Sequence, residues 1–593
     1  MGLRMASAGI LPNPQQTSNP GQRQSIGRPP PLAIARRLGL RPALFYYLLG
    51  FILVVLVVYP FGVLIVSSFF TGQPGRIGTV TLEGYRVWLE AGELVPVLAN
   101  SVIYSLSRLV IGLCFALLFA WAVARTNIPH AGLMTWLVGV PFFVPELLTG
   151  ISWLMLGNPQ NGLINQWARD WFGATDNIID LYGWTGLIFH SSLHTISFMF
   201  LMLVGFFKAM DSSFEEQAIT LGASKTKVLF TITFPMLAPA ILSVSILVFV
   251  HGLESFENPL LFGNPGGVYV FANEIYRMLN YRHPPQYNAA TALSVLLIVI
   301  LASMLAVSWR WLGDRQFTVV TGKGYRPSRL VLPRLMCWSI FALFIVYFLL
   351  AVVIPVSQIV ASSFFQIFGL YELDQLTLQN WQNFWRDRRA ITGLQNTVIY
   401  STLAGLAIVL LGFLVGYVRI RTRHWLGRPL EMLAWAPWTL PGVVMGLALL
   451  WAWAVPPPPF NLYGTATVIV IGFIIKGLPL GASTMQAAIR QVSTELEESA
   501  RVHGGSWFKT TVHILGPLLR GGAVTTFVIV FALSARDLTI PLFLYRGGTE
   551  TLTVALLHYY EEGVMGTLAV IAIVQVGLVM SVLLLARLIR VRE

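Results

Sequence analysis

Long apolar runs alternate with short polar segments along nearly the whole chain. LFYYLLGFILVVLVVYPFGVLIV (44–66) and LSVLLIVILASMLAV (293–307) are two of these runs. A helix rises ~1.5 Å per residue, so the first can cross the roughly 30 Å hydrocarbon layer of a bilayer. Spans are expected at about 43–66, 100–123, 133–156, 184–206, 235–255 and 289–309, and again at about 335–359, 397–418, 430–454, 464–485, 522–543 and 564–589.

The two sets are related. TVTLEGY and ANSVIYS (79–85, 99–105) answer QLTLQNW and QNTVIYS (375–381, 395–401) at an offset of 296, as VPELLTG (144–150) answers LPGVVMG (440–446). Further on the offset falls to about 282, because the first half has a longer third outward connection. Polar marks held in register across several segments are a stronger repeat signal than shared apolarity. The expected fold class is an all-α integral membrane protein of about 12 transmembrane helices, built as two homologous six-helix modules. The expected divisions are a basic, flexible cytoplasmic tail (1–42), a first module (43–312), a cytoplasmic linker (313–334) and a second module (335–593).

Composition agrees with a membrane protein: 55% of the 593 residues are hydrophobic and 11% charged. The formal charge of +13 raises nucleic acid as a partner, but the basic residues cluster at the ends of apolar runs. ARTNIPH (124–130), WRWLGDRQFTVVTGKGYRPSRL (309–330), RIRTRHWLGR (419–428) and RLIRVRE (587–593) would all lie on the side of the N-terminal tail. Basic loops stay cytoplasmic, which predicts both termini inside, with membrane lipids and no nucleic acid as the surroundings. The locally basic WRDRRA (385–390) disagrees mildly. The tail lacks the pattern of a signal peptide. Cys114 and Cys337 are too few and too separated for a disulfide framework or a metal site.

Two polar segments interrupt this pattern: SSFEEQAITLGASKTKVLFTITFPMLAP (212–239) and TELEESARVHGGSWFKTTVHILGPLLR (494–520). Ser212 with Glu215, and Thr494 with Glu497, have capping-box spacing, so a short helix is expected to start in each. Phe214, Ala218 and Leu221 fall near one face of the first, with Leu496, Ala500 and His503 in the corresponding places. Gly222 and Gly504 permit a sharp turn. Pro235 and Pro517 stand where a new helix would enter the bilayer. One such loop on its own would pass for an amphipathic connector lying on the lipid surface.

E-x-A-x-x-x-G, nine residues, then I-x-x-P occurs as Glu216, Ala218, Gly222, Ile232 and Pro235, and again as Glu498, Ala500, Gly504, Ile514 and Pro517. This resembles the cytoplasmic loop of permeases from bacterial binding-protein-dependent ABC importers, in particular the fused two-module permeases of the iron(III) type. The likeness covers nearly all the chain after the tail. It implies that each loop, with Glu215 and Glu497 included, is a coupling helix docked in an ATPase subunit. It also implies two copies of that ATPase, an extracytoplasmic solute-binding protein, residence in the bacterial cytoplasmic membrane, and ATP with Mg held by the partners. The sequence departs from the family pattern at Gln217 and Ser499, where alanine is usual, and at Phe234 and Gly516, where leucine is.

No phosphate-binding loop is present; TGKGYRPS (321–328) lacks the upstream glycine and the hydroxyl after Lys323. No catalytic residue, metal site or bound cofactor is expected in this chain. Ionisable residues inside apolar helices are costly and often face a cavity. Glu146, His190, His194, Glu254, Glu257, Lys476, Arg536 and Asp537 are therefore candidates for a pathway or gate. His190 and His194 share a helix face, for metal or solute contact or for packing; Glu254, Glu257, Arg536 and Asp537 make either a gate or docking surface or ordinary interfacial charge. The leading expectation is an importer permease for iron(III). Polyamine, thiamine, phosphonate or sugar import, an ion-coupled secondary carrier and a non-transporting membrane scaffold are alternatives.

Overall fold

The computed structural model of the chain describes residues 42–90, 92–211, 213–312, 330–369, 371–422, 424–454 and 461–591. Two units are distinguished, Met1–Leu48 and Leu49–Glu593, and everything below concerns the second. The predicted tail (1–42) and linker (313–334) lie largely outside the described residues.

Among the described residues the fold is all-α apart from one small antiparallel hairpin, Phe70–Gln73 with Arg76–Val80, and two isolated β-bridges. Among the described residues ten helices are long and apolar enough to cross a membrane. Two further helix pairs are bent, Ala131–Phe143 with Glu146–Gly157 by 91° and Gly427–Thr439 with Gly442–Ala454 by 112°. The protein is thus a multi-pass membrane protein whose ten straight and two broken spans fit a duplicated six-span plan.

Those two breaks correct the expectation of straight third spans at 133–156 and 430–454. In each, one proline sits in a short 3-10 turn (Pro141, Pro437) and a second follows an extended residue (Val144 before Pro145, Leu440 before Pro441). Proline lacks the N–H that would continue the helix and drives its predecessor out of helical geometry. Irregular backbone at membrane depth is tolerated where protein or a cavity covers it. The inner limbs are accordingly buried, Leu147–Gly157 throughout and Val443–Ala452 throughout.

The halves interlock reciprocally. The helix Tyr59–Ser67 packs on Gly442–Ala454, and Ile354–Phe364 packs on Glu146–Gly157. Tyr59 Oη donates to the Ala452 carbonyl (3.1 Å) across the first contact. Across the second, Ser152 Oγ donates to the Pro355 carbonyl (2.7 Å) and Trp153 Nε1 to the Leu350 carbonyl (3.2 Å).

Pro235 and Pro517 do not start helices. They lie inside the continuous helices Lys225–Glu254 and Trp507–Ala535, just after π-helical turns at Leu229–Thr233 and Thr511–Leu515. The wider turn accommodates the missing proline N–H, and the true starts are capped by Ser224 and Ser506. The eleventh span, read as 522–543, ends at Ala535. There Asp537 Oδ1 accepts from the Thr539 hydroxyl and the Ile540 N–H, both at 3.0 Å, and opens a separate helix, Thr539–Leu544.

Candidate functional site

The two polar loops each fold as a short helix, Ser213–Thr220 and Thr494–Val502. The cap of the second is Ser493, whose Oγ accepts from the Glu495 N–H (3.3 Å), so the capping box read at Thr494 does not form. Ser212 lies outside the described residues. Both helices end at a glycine in left-handed geometry, Gly222 (φ 88°) and Gly504 (φ 78°). The Ala223 N–H then closes on the Ala218 carbonyl (3.0 Å), and the Gly505 N–H on the Ala500 carbonyl (2.8 Å). A residue with a Cβ is strained in that region, which explains the glycines without appeal to a partner.

The adjacent glutamates in each loop face opposite ways. Glu215 and Glu497 are buried, while Glu216 and Glu498 are exposed. Glu215 accepts from the Thr233 hydroxyl (2.5 Å) and lies 3.8 Å from the Arg125 guanidinium. Glu497 lies 2.8 Å from Arg421 Nε and accepts from the Tyr417 hydroxyl (3.2 Å), with Arg501 at 3.6 Å. Glu497 Oε1 faces Arg421 as an ion pair and makes no hydrogen bond. Each loop also exposes large apolar side chains: Phe214, Leu221 and Phe230 in one, Leu496, Val502 and Phe508 in the other. Ala218, Ile232, Ala500 and Ile514 are half-buried, and Pro235 and Pro517 are exposed.

Apart from Glu254, the ionisable residues read as a pathway fall into two joined networks. In the first half, Glu146 accepts from Asn258 Nδ2, and Asn258 Oδ1 lies 2.5 Å from His190 Nδ1. Thr149 Oγ1 then stands 2.9 Å from both His190 Nε2 and His194 Nε2. One hydroxyl shared by two imidazoles is a hydrogen-bond relay, and among the described residues no three His, Cys, Asp or Glu side chains converge to hold a metal. In the second half, Lys476 pairs with the buried Asp537 and donates to Thr539 Oγ1 (3.3 Å). Gly442 leaves the space this network needs: a Cβ there would come 2.3 Å from Thr539 Oγ1.

Arg536 joins the halves. Its guanidinium donates to the Phe142 carbonyl at the bend of the first half's broken span and sits 5.2 Å over the Phe142 ring. Glu257 lies within electrostatic range of Arg536, Lys476, Asp537 and Glu146. Glu254 stands apart, facing His251 on its own helix (3.9 Å).

Across the repeat the polar loop helices and the broken third spans recur as a matched pair on one chain. A model of the binding-protein-dependent transport system inner membrane component matches residues 112–317 and again 408–592. The chain belongs to that family. Both copies of this transport component carry one polar loop, one broken span and the helix that follows the loop. The component is a membrane subunit of a binding-protein-dependent transporter, not an enzyme.

It is 28% identical over 542 residues to the ferric transport system permease protein of Actinobacillus pleuropneumoniae, covering 89% of this chain and 75% of that one. A putative ferric transport system permease protein of Haemophilus influenzae is 27% identical over 503 residues, covering 83% and 76%. The molybdenum transport system permease protein of Escherichia coli K12 is 26% identical over 198 residues, which is 33% of this chain and 83% of that protein.

Arg125, Arg421, Thr149, Asn258, Thr233 and Tyr417 were not singled out in the sequence. The two arginines carried a usable signal: each ends the second span of its half, 296 positions apart (125 and 421). Their charge reads there as an orientation mark, which hides a buried pairing.

Proposed function

We propose that the chain imports iron(III) delivered by an extracytoplasmic binding protein, driven by two copies of a separate ATPase that hold ATP and Mg. The carrying observation is the pair of loop helices, each presenting one exposed glutamate on a loop with exposed large apolar side chains while its neighbouring glutamate is buried. That surface suits docking in a groove, where apolar contacts supply area and a central charge supplies orientation. Glu216, Ala218, Gly222, Ile232 and Pro235, and Glu498, Ala500, Gly504, Ile514 and Pro517, form these coupling loops; both face the cytoplasm, as do the two termini. The division into modules at 43–312 and 335–593 belongs to the same reading. Closure of the ATPase dimer on ATP draws the two loop helices together and turns the membrane halves outward.

Glu146, His190, His194, Glu257, Lys476, Arg536 and Asp537 line or gate the pathway between the halves. Iron(III) is favoured by a likeness to ferric permeases that runs through both halves, whereas the molybdenum relative matches over one third of the chain. The test is reconstitution in proteoliposomes with the ATPase and binding protein. ATP-dependent uptake of radiolabelled ferric ion is expected only with all three present. Uptake by this chain alone under an ion gradient overturns the reading in favour of a secondary carrier, and stimulation by a molybdate- or sulfate-loaded binding protein alone overturns the cargo.

A further inference from the structure

The buried glutamates Glu215 and Glu497 are not part of the exposed surface of the loops, and the same chemistry holds each of them. Arg125 stands in the last turn of the second span of its half, Leu94–Arg125, and Arg421 in the last turn of Arg388–Arg421. Arg125 Nη2 donates to the Met210 carbonyl (2.7 Å), at the end of Trp184–Ala209. Arg421 Nη2 donates to the Ile489 (3.1 Å) and Val492 (2.6 Å) carbonyls, at the end of Ala466–Gln491. In both halves, then, one guanidinium joins three elements: the end of the second span, the last carbonyls of the fourth, and the glutamate of the loop helix. The planar fork of arginine suits this, since its five N–H groups can serve several acceptors at once, and helix C-terminal carbonyls add partial negative charge.

The rest of each glutamate's setting differs. Glu215 takes a hydroxyl from Thr233, and Glu497 takes one from Tyr417 with Arg501 nearby. Residues 282 and 296 positions from Thr233 and Tyr417 are Leu515 and Trp121, which cannot make those bonds in the same way. The two halves share the arginine–glutamate pair and not its surroundings. Burial is nearly complete on both sides, with side chains 2% and 4% exposed in the first pair and 8% and 4% in the second. Losing either member of so buried a pair strands the other away from water.

We propose that Arg125–Glu215 and Arg421–Glu497 are transmission joints: positioning residues that lock each loop helix to the second and fourth spans, so that movement of the loop moves the membrane helices. This rests on the loops being coupling helices, but it assigns the first glutamate of each to the membrane domain, not to the ATPase. A force applied at Glu216 or Glu498 then passes through the neighbouring residue into the bilayer.

The experiment uses the full chain with its ATPase in nanodiscs, in a Cys114→Ser, Cys337→Ser background. An environment-sensitive fluorophore on Tyr281→Cys reports from the cleft of about 430 Å³ between the halves, lined by Tyr269, Arg277, Tyr281, Tyr560 and Glu561, on the side away from the loops. The joint variant is Arg125→Met, Glu215→Gln, Arg421→Met, Glu497→Gln, which leaves no buried charge of the two pairs unpartnered and releases only the 40% exposed Arg501. Arg125→Lys with Arg421→Lys is the conservative control.

With intact joints, ATP plus vanadate is expected to shift the emission. The joint variant should still bind the ATPase on affinity purification, yet its shift should fall at least fivefold, with the lysine variant recovering part of it. A full shift in the joint variant overturns the proposal. Loss of ATPase binding in that variant overturns it too, by making the pair part of docking or folding. A parent protein that binds no ATPase, or shows no shift, removes the coupling reading on which the proposal rests.

Discussion

At the loop end of the two halves, Arg125 and Glu215 correspond to Arg421 and Glu497 residue for residue. At the membrane centre nothing corresponds. Glu146 meets Gly442, and along helices that begin and end 282 positions apart (184 and 466, 209 and 491) His190 meets Gly472 and His194 meets Lys476. The first half builds a relay of Glu146, Asn258, His190, Thr149 and His194, and the second an ion pair of Lys476 with Asp537. A region facing two like partners is held alike, whereas a region enclosing one solute is free to differ from side to side. On the function proposed above, the contrast would separate parts that take in work from parts that handle cargo.

The strongest way to break this comparison is at the exposed acids. Replacing Glu216 and Glu498 together with alanine is expected to cut ATP-driven uptake in proteoliposomes by at least about tenfold while leaving the fold intact, because a central charge orients a docked partner. Uptake and ATPase assembly at the parent level would remove the loops from the power stroke.

Next come the buried acids. Glu497→Ala strands Arg421 and is expected to cost about 3–5 kcal/mol, by analogy with other buried pairs broken on one side. Glu215→Ala should cost less, since Arg125 stands 3.8 Å away rather than 2.8 Å. Thermal unfolding of purified protein in detergent ranks the two, and a larger loss at Glu215 would reverse the order of the joints.

A smaller effect is expected from imposing symmetry on the membrane centre. Gly442→Glu drives a side chain against Thr539, and overpacking of this kind costs about 1–3 kcal/mol. A melting temperature equal to the parent's would show that the second network yields to a carboxylate, so that the asymmetry is not built into the packing.

Smallest is the cap. Ser493→Ala removes one acceptor at the start of Thr494–Val502 and is expected to cost roughly 0.5–1 kcal/mol. A loss as large as that of Glu497→Ala would mean that the cap, not the arginine, holds the loop helix.

Much of the architecture was legible because bilayer crossing demands long apolar runs, and the repeat was legible because polar marks such as TLEGY and TLQNW sit outside them. The broken third spans were less so. Pro141 and Pro145 lie in a run apolar enough to pass as one helix, and composition does not distinguish a crossing from a bend of 91°. The π-helical turns before Pro235 and Pro517 escaped for a related reason: proline marks a missing N–H, while the neighbours decide whether a helix stops or widens around it. Within the loops, two adjacent glutamates look equivalent on paper. Only the third-dimension neighbours, Arg125 and Arg421, 90 and 76 residues upstream (125 to 215, 421 to 497), divide them into one buried and one exposed.

The halves are covalently one polypeptide, and this bears on how the transporter is assembled. Two identical half-size subunits would bring together either two Glu146 relays or two Lys476–Asp537 pairs. A tandem chain delivers one relay and one ion pair in every molecule synthesised, with no sorting step and no dependence on the concentrations of two gene products. Joining the halves thus enforces a hetero-pairing that free subunits would have to find by recognition.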